Sequence, residues 1–157
     1  MADRIIIAKD KLIYNPENGL FTWKVSCGRK RTGDRAGCPS GNGYIAIKID
    51  GKRYLAHRLA WLYMTGEWPK DQIDHRNRSR GDNRWNNLRE ATASQNQANS
   101  KRRGLLKGVT RYRNKWMAQI KINQKTHFLG NFDSIDKAHA AYVVAAAVAF
   151  GEYARAT

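Results

Sequence analysis

The residues from Ile73 to Asn96 constrain this chain more than any other stretch. They hold an Asp beside a His, Asp74-His75, then an Asn twelve residues past the His, Asn87, and another nine beyond that, Asn96, with arginines threaded between. Together these supply the parts that a metal-assisted phosphodiester hydrolase needs: a hard oxygen ligand, a base, an orienter for the base and a second metal ligand. The plainer alternative is a polar loop, because Asn and Gly both tolerate left-handed backbone and make tight turns.

The whole string resembles the HNH endonuclease family, in the branch found in phage and intron-borne homing endonucleases. That branch reads Asp-His, then Asn-Leu, then Gln-Asn, and here these are Asp74-His75, Asn87-Leu88 and Gln95-Asn96. The resemblance implies a strand, a loop, a second short strand and a helix clasping one divalent cation, a ββα-metal motif over residues 73–100. It makes Asp74 and Asn96 the protein ligands of a single Mg²⁺ or Mn²⁺, which oxygen donors favour over zinc. It makes His75 the general base and gives Asn87 the bond to the other ring nitrogen, fixing the tautomer. The middle position of the family is often His; Asn87 follows the homing branch.

Charge points to the same kind of partner. Lys and Arg number 29 against 13 Asp and Glu, a net charge of +16, which is an excess suited to a polyanion. Arg76, Arg78, Arg80 and Arg84 fall between His75 and Asn87, where planar guanidinium forks suit phosphates flanking a scissile bond. A membrane surface would also attract such a chain, but Ile5-Ile6-Ile7 is far too short to span one. The expectation is a cytoplasmic protein, in the host cytoplasm if phage-encoded, with no membrane partner. Two cysteines, Cys27 and Cys38, are too few for a four-thiolate zinc site and are expected reduced.

Residues 1–68 read as a β-rich lead-in. Leu20–Val25 follows a cluster of turn formers, Asn15-Pro16-Glu17-Asn18-Gly19, and predicts a strand. Ser26 to Gly43 is polar and Gly-rich, with Arg29, Lys30, Arg31 and Arg35, and reads as a mobile loop or arm along DNA. Tyr44–Ile49 and Lys52–Ala56 flank Asp50-Gly51, a strong signal for a two-residue hairpin. Arg58–Thr65 carries apolar residues at helical spacing and stops at Gly66. His57 is expected to make a structural hydrogen bond.

From Ala91 to Phe132 there is no acidic residue, so the chain forms a continuous basic belt. Val109–Arg113, Lys115–Ile122 and Thr126–Phe132 read as three strands, and a helix capped at Asp133 or Ser134 runs to about Phe150 with Gly151 as its stop. Its apolar stripe is expected to be Ile135, Ala138, Tyr142, Ala145 and Ala149. This end resembles the AP2 DNA-binding domain through Gly108-Val109, Trp116–Ile120, Phe128–Phe132, the Ala-rich helix and Phe150-Gly151. That resemblance implies a three-stranded sheet entering the major groove, with Arg111, Arg113, Gln119, Lys121 and Phe128 facing DNA.

The expected fold class is α+β: an HNH nuclease domain with a β-rich N-terminal part over 1–103, then a small three-stranded antiparallel sheet plus helix over 104–157. The expected function is metal-dependent cleavage of duplex DNA, with no obligate protein partner. A DNA-binding regulator on an inactive HNH scaffold is the alternative.

Overall fold

The computed structural model describes residues 8–26, 28–100 and 106–155. It has mixed α and β structure in several small sheets, and contacts divide it into two compact units, Met1–Glu90 and Ala91–Thr157. The short apolar run at Ile5-Ile6-Ile7 and Cys27 lie outside the described residues; Cys38 is a free, exposed thiol. None of the described helices is long and apolar enough to cross a membrane.

The first unit holds two three-stranded sheets. Strands β1 (Leu12–Asn15) and β2 (Leu20–Trp23) pair antiparallel, and β3 (Arg35–Ala36) adds to β2. Strand β4 (Cys38–Pro39) pairs with β5 (Ile45–Ile49), which pairs with β6 (Lys52–Leu55). The stretch read from sequence as a loop or arm is therefore partly strand, tied into both sheets through β3 and β4. Its polarity hid this, because each strand is only two residues long and Gly37 turns between them.

The hairpin at Asp50-Gly51 forms as expected. Both residues adopt positive φ, 46° and 78°, so the turn twists with its strands, and Ile49 sits directly opposite Lys52. Helix α1 (Ala56–Thr65) follows, ending at Gly66 with φ 80°, and buries Leu59, Ala60 and Leu62. These join Leu12, Tyr14, Phe21, Trp23, Ile47 and Ile49 in one core, where Tyr14 and Phe21 stack at 4.8 Å. Each buried Leu, Ile or Phe among them contributes about 1.5–3 kcal/mol by leaving water. Ile73 and Leu88 enter the same core, so the strands that carry them, β7 (Gln72–His75) and β8 (Leu88–Ala91), are fixed to it. These two strands pair with each other.

The second unit begins with helix α2 (Ala93–Asn99), opened by a capping box: Thr92 Oγ1 accepts from the Gln95 amide, and the Gln95 side chain accepts from the Thr92 amide. The Lys107 ammonium donates to the carbonyls of Gln97, Ala98 and Ser100, satisfying the end of this helix. Strands β9 (Val109–Tyr112), β10 (Lys115–Ile122) and β11 (Lys125–Phe132) form an antiparallel sheet with β10 central. Helix α3 (Ile135–Phe150), capped by Ser134, covers one face. Its buried positions are Ala138, Tyr142, Ala146 and Phe150, spaced four apart. Ala149, expected in the stripe, is exposed, because that spacing moves the contact line to Phe150.

Candidate functional site

The loop between β7 and β8 is built by side chains bonding to backbone. The Arg76 amide donates to the Asn87 carbonyl at 2.9 Å and closes the loop at its neck. The Asn87 amide oxygen accepts from the Asn77 N–H at 2.9 Å, while its NH₂ group donates to the Asp82 carbonyl at 2.8 Å. Asn87 thus spends its amide on the loop, and the His75 ring is bonded instead by Asn83, whose Oδ1 lies 3.3 Å from Nε2. The Asn83 NH₂ donates to the Gly81 carbonyl, which sets its oxygen toward the ring. An amide oxygen only accepts, so Nε2 carries the proton and Nδ1 is the lone-pair nitrogen of the neutral ring.

Asn83 is in turn held from outside the loop. The Tyr14 hydroxyl donates to its carbonyl at 2.6 Å, and the Trp85 amide donates to the Pro16 carbonyl. Gly19 makes this approach possible: with φ 73°, a Cβ there would lie 2.4 Å from the Arg84 nitrogen and 2.5 Å from the Asn83 carbonyl carbon. The β1–β2 turn therefore braces the residue that positions His75. From sequence Asn83 looked like one more turn former among Gly81, Asp82 and Asn86. The one signal it offered was the same string that carries the Asp-His pair.

Asp74 and His75 are both buried. The Asp74 carboxylate accepts from Arg89 Nε at 2.9 Å, a buried ion pair that links β7 to β8. Burial pushes the His75 imidazole below its ordinary value, against opposing pulls from the Asn83 bond and the Asp74 and Asp82 carboxylates. A neutral ring at physiological pH follows. His57, at the start of α1, packs against it edge-on with ring centroids 5.1 Å apart, and Tyr44 lies 4.9 Å from His57. His57 does not make the expected structural hydrogen bond through Nδ1, which is buried and has no hydrogen-bond partner among the described residues.

That burial has a pH consequence. Burial first, then the nearness of His75 and Arg58, pushes His57 from 6.5 down to about 3. The unfolded chain therefore takes up a proton below 6.5 that the folded chain refuses until about 3. Stability from a neutral His57 is complete above 6.5 and is lost as pH falls through that window, by up to about 1.4 kcal/mol per pH unit. Thermal unfolding followed from pH 7.5 to 4 is expected to show the midpoint falling below 6.5, more gently in His57→Phe. An equal slope in both proteins would assign the acid sensitivity to other groups.

The four loop arginines divide. Arg84 grips Asp82 through Nε and a terminal nitrogen, at 2.9 and 2.6 Å, and this bond holds the Asp82 carboxyl at about 2. Arg80 donates to the Asn42 carbonyl and lies over the Tyr44 ring. Arg76 and Arg78 are exposed on the loop. Asn96 is half-buried on α2 and is described with the second unit.

In the second unit, the strand register sorts the residues read as DNA-facing. Gln119 and Phe128 are direct cross-strand partners, and Lys121 shares their face, which is the one turned away from α3. Arg111 pairs in register with Trp116, whose ring packs toward the core, and its guanidinium lies 5.4 Å from that ring. Arg113 sits in the β9–β10 turn with φ 52°. Neither arginine stands on the face that carries the other three.

Residues 54–98 match the model of a family described as HNH endonuclease, a stretch running from the end of β6 through α1, the His75 loop and most of α2. No curated protein and no solved structure matches the chain. Over this stretch the chain is thus similar to HNH endonucleases, a family of nucleases that generally use divalent metal ions.

The donors available suit such an ion in one form only. Among the described residues no group of three or more His, Cys, Asp and Glu side chains converges to make a closed cage. Asp74 offers one buried carboxylate, which suits a hard cation that keeps much of its water and takes phosphate oxygens from the substrate.

Proposed function

We propose that this chain is a DNA endonuclease of the homing type, hydrolysing phosphodiester bonds in duplex DNA with one Mg²⁺ or Mn²⁺ per active site. Asp74 and Asn96 are the residues that would hold the cation. When bound, it would offset the charge that builds on the scissile phosphate and the leaving 3′-oxygen. His75 takes the proton of the attacking water on Nδ1, while Asn83 keeps the Nε2–H in place. Asn87 acts at one remove, holding the loop shut so that His75 stays aimed. The observation that carries this reading is the buried, neutral imidazole of His75, held in one tautomer next to a buried carboxylate.

In this reading the nuclease domain runs over 1–103 and an AP2-like module over 104–157, joined by the residues between α2 and β9. A small metal site has little surface for selecting a sequence, so a second module supplies affinity and register. Arg76 and Arg78 hold phosphates near the cut, and the sheet face bearing Gln119, Lys121 and Phe128 enters the major groove.

The Arg89–Asp74 ion pair favours a second reading, a DNA-binding regulator whose nuclease fold no longer takes up metal. Supercoiled plasmid incubated with the protein separates the two. Nicking with Mg²⁺ or Mn²⁺ that EDTA abolishes is the expected result. Intact plasmid with either metal, alongside retained DNA binding, would replace the first reading by the second.

A further inference from the structure

The proposed sheet reader has an unusual complement of side chains for its task. Pleating sends alternate residues to opposite faces, and in β10 Ala118 and Ile120 are buried toward α3, so Met117, Gln119 and Lys121 point the other way. The cross-strand register carries Thr110, Thr126 and Phe128 to this same face, opposite Met117, Lys121 and Gln119 respectively. Phe128 is 62% exposed there, a large apolar ring in one of the most basic parts of the chain. The side-chain amide of Gln119, beside it across the strands, makes no hydrogen bond to any described residue.

We infer that this face is built to read A·T base pairs, with Gln119 hydrogen-bonding adenine and Phe128, Met117 and the threonine methyls packing on thymine methyl groups. The inference rests on the proposed DNA-binding role of this unit and names which base pairs that role selects. In the major groove guanine shows two acceptors, which a guanidinium matches; adenine shows an acceptor and a donor, which a carboxamide matches; thymine adds a methyl, which apolar groups match. Both nearby guanidiniums are off the face, Arg111 by pleat parity and Arg113 by its place in the turn. Cations on the face stand toward its ends: Lys121 near the β10–β11 turn, and Lys115 beside the β9–β10 turn, 3.4 Å from the Asp133 carboxylate. They suit flanking phosphates, leaving the centre to an amide and apolar groups.

The test uses the full chain in EDTA, so that bound DNA stays uncut. Selection from a random duplex library is expected to return sites with an A·T core, and replacing thymine by uracil in a selected site should weaken binding about fourfold per contacted methyl. Phe128→Ala should lose that uracil sensitivity, and Gln119→Ala should lose roughly tenfold of its preference for adenine over guanine. Circular dichroism of both exposed-site variants confirms that they fold. A G·C core, or equal binding of thymine and uracil duplexes, would overturn the inference while leaving DNA binding intact. Failure to bind any duplex would overturn the proposed reader itself and this inference with it.

Discussion

Replacing His75 by alanine should leave DNA bound and uncut. The imidazole brings a basic nitrogen to the loop near neutrality, because burial keeps the ring unprotonated and Asn83 holds Nε2. A positioned general base contributes about 10²–10⁴-fold to a hydrolytic rate, so single-turnover cleavage should fall by that factor. Affinity should hardly change, since in the proposed function phosphate contacts and the C-terminal sheet supply it. Asn83→Ala should fall between the two: the base remains but its ring is no longer held, and the rate drops without loss of binding. Measuring cleavage and binding on the same oligonucleotide separates these effects. Cleavage by His75→Ala at the unaltered rate would move the base elsewhere.

How far the sequence foretold this site depends on which force fixes each part. The Asp50-Gly51 hairpin, α1 with its Gly66 stop, and the C-terminal strands and helix were legible because local chemistry decides them: turn residues, caps and periodicity. Strands β3 and β4 were not, since each is only two residues long, too short to show an alternation, and polarity alone describes a loop. The same limit applies to orienting residues. A loop rich in Asn offers several amides, and only the folded loop shows Asn87 engaged with Asn77 and Asp82 while Asn83 reaches the ring. The faces of the sheet followed from alternation once the strands were right, but β9 is short, and only the register shows Arg111 opposite Trp116 and Arg113 in the turn. The buried Arg89 partner of Asp74 had no local signal at all: an Arg two residues past Asn87 reads as one more cation in a chain of net charge +16.

That arginine leads to the second large effect. Arg89→Met keeps the length and the apolar stem of the side chain but removes the guanidinium from a carboxylate that is 4% exposed. Breaking a buried ion pair from one side costs about 3–5 kcal/mol, because the remaining charge stays out of water without its counterpart. Thermal or denaturant unfolding should show a loss of that size. The proposed metal site adds a condition that a purely structural pair would not meet. A divalent cation on Asp74 would stand in for the lost positive charge, so millimolar Mg²⁺ or Mn²⁺ should raise the midpoint of Arg89→Met more than that of the unmodified protein. Asp74→Asn in the same background should erase the difference, since the carboxylate that draws the ion is gone. Equal responses to metal in Arg89→Met and in the double variant would mean that Asp74 does not bind the cation, whatever the nicking assay reports.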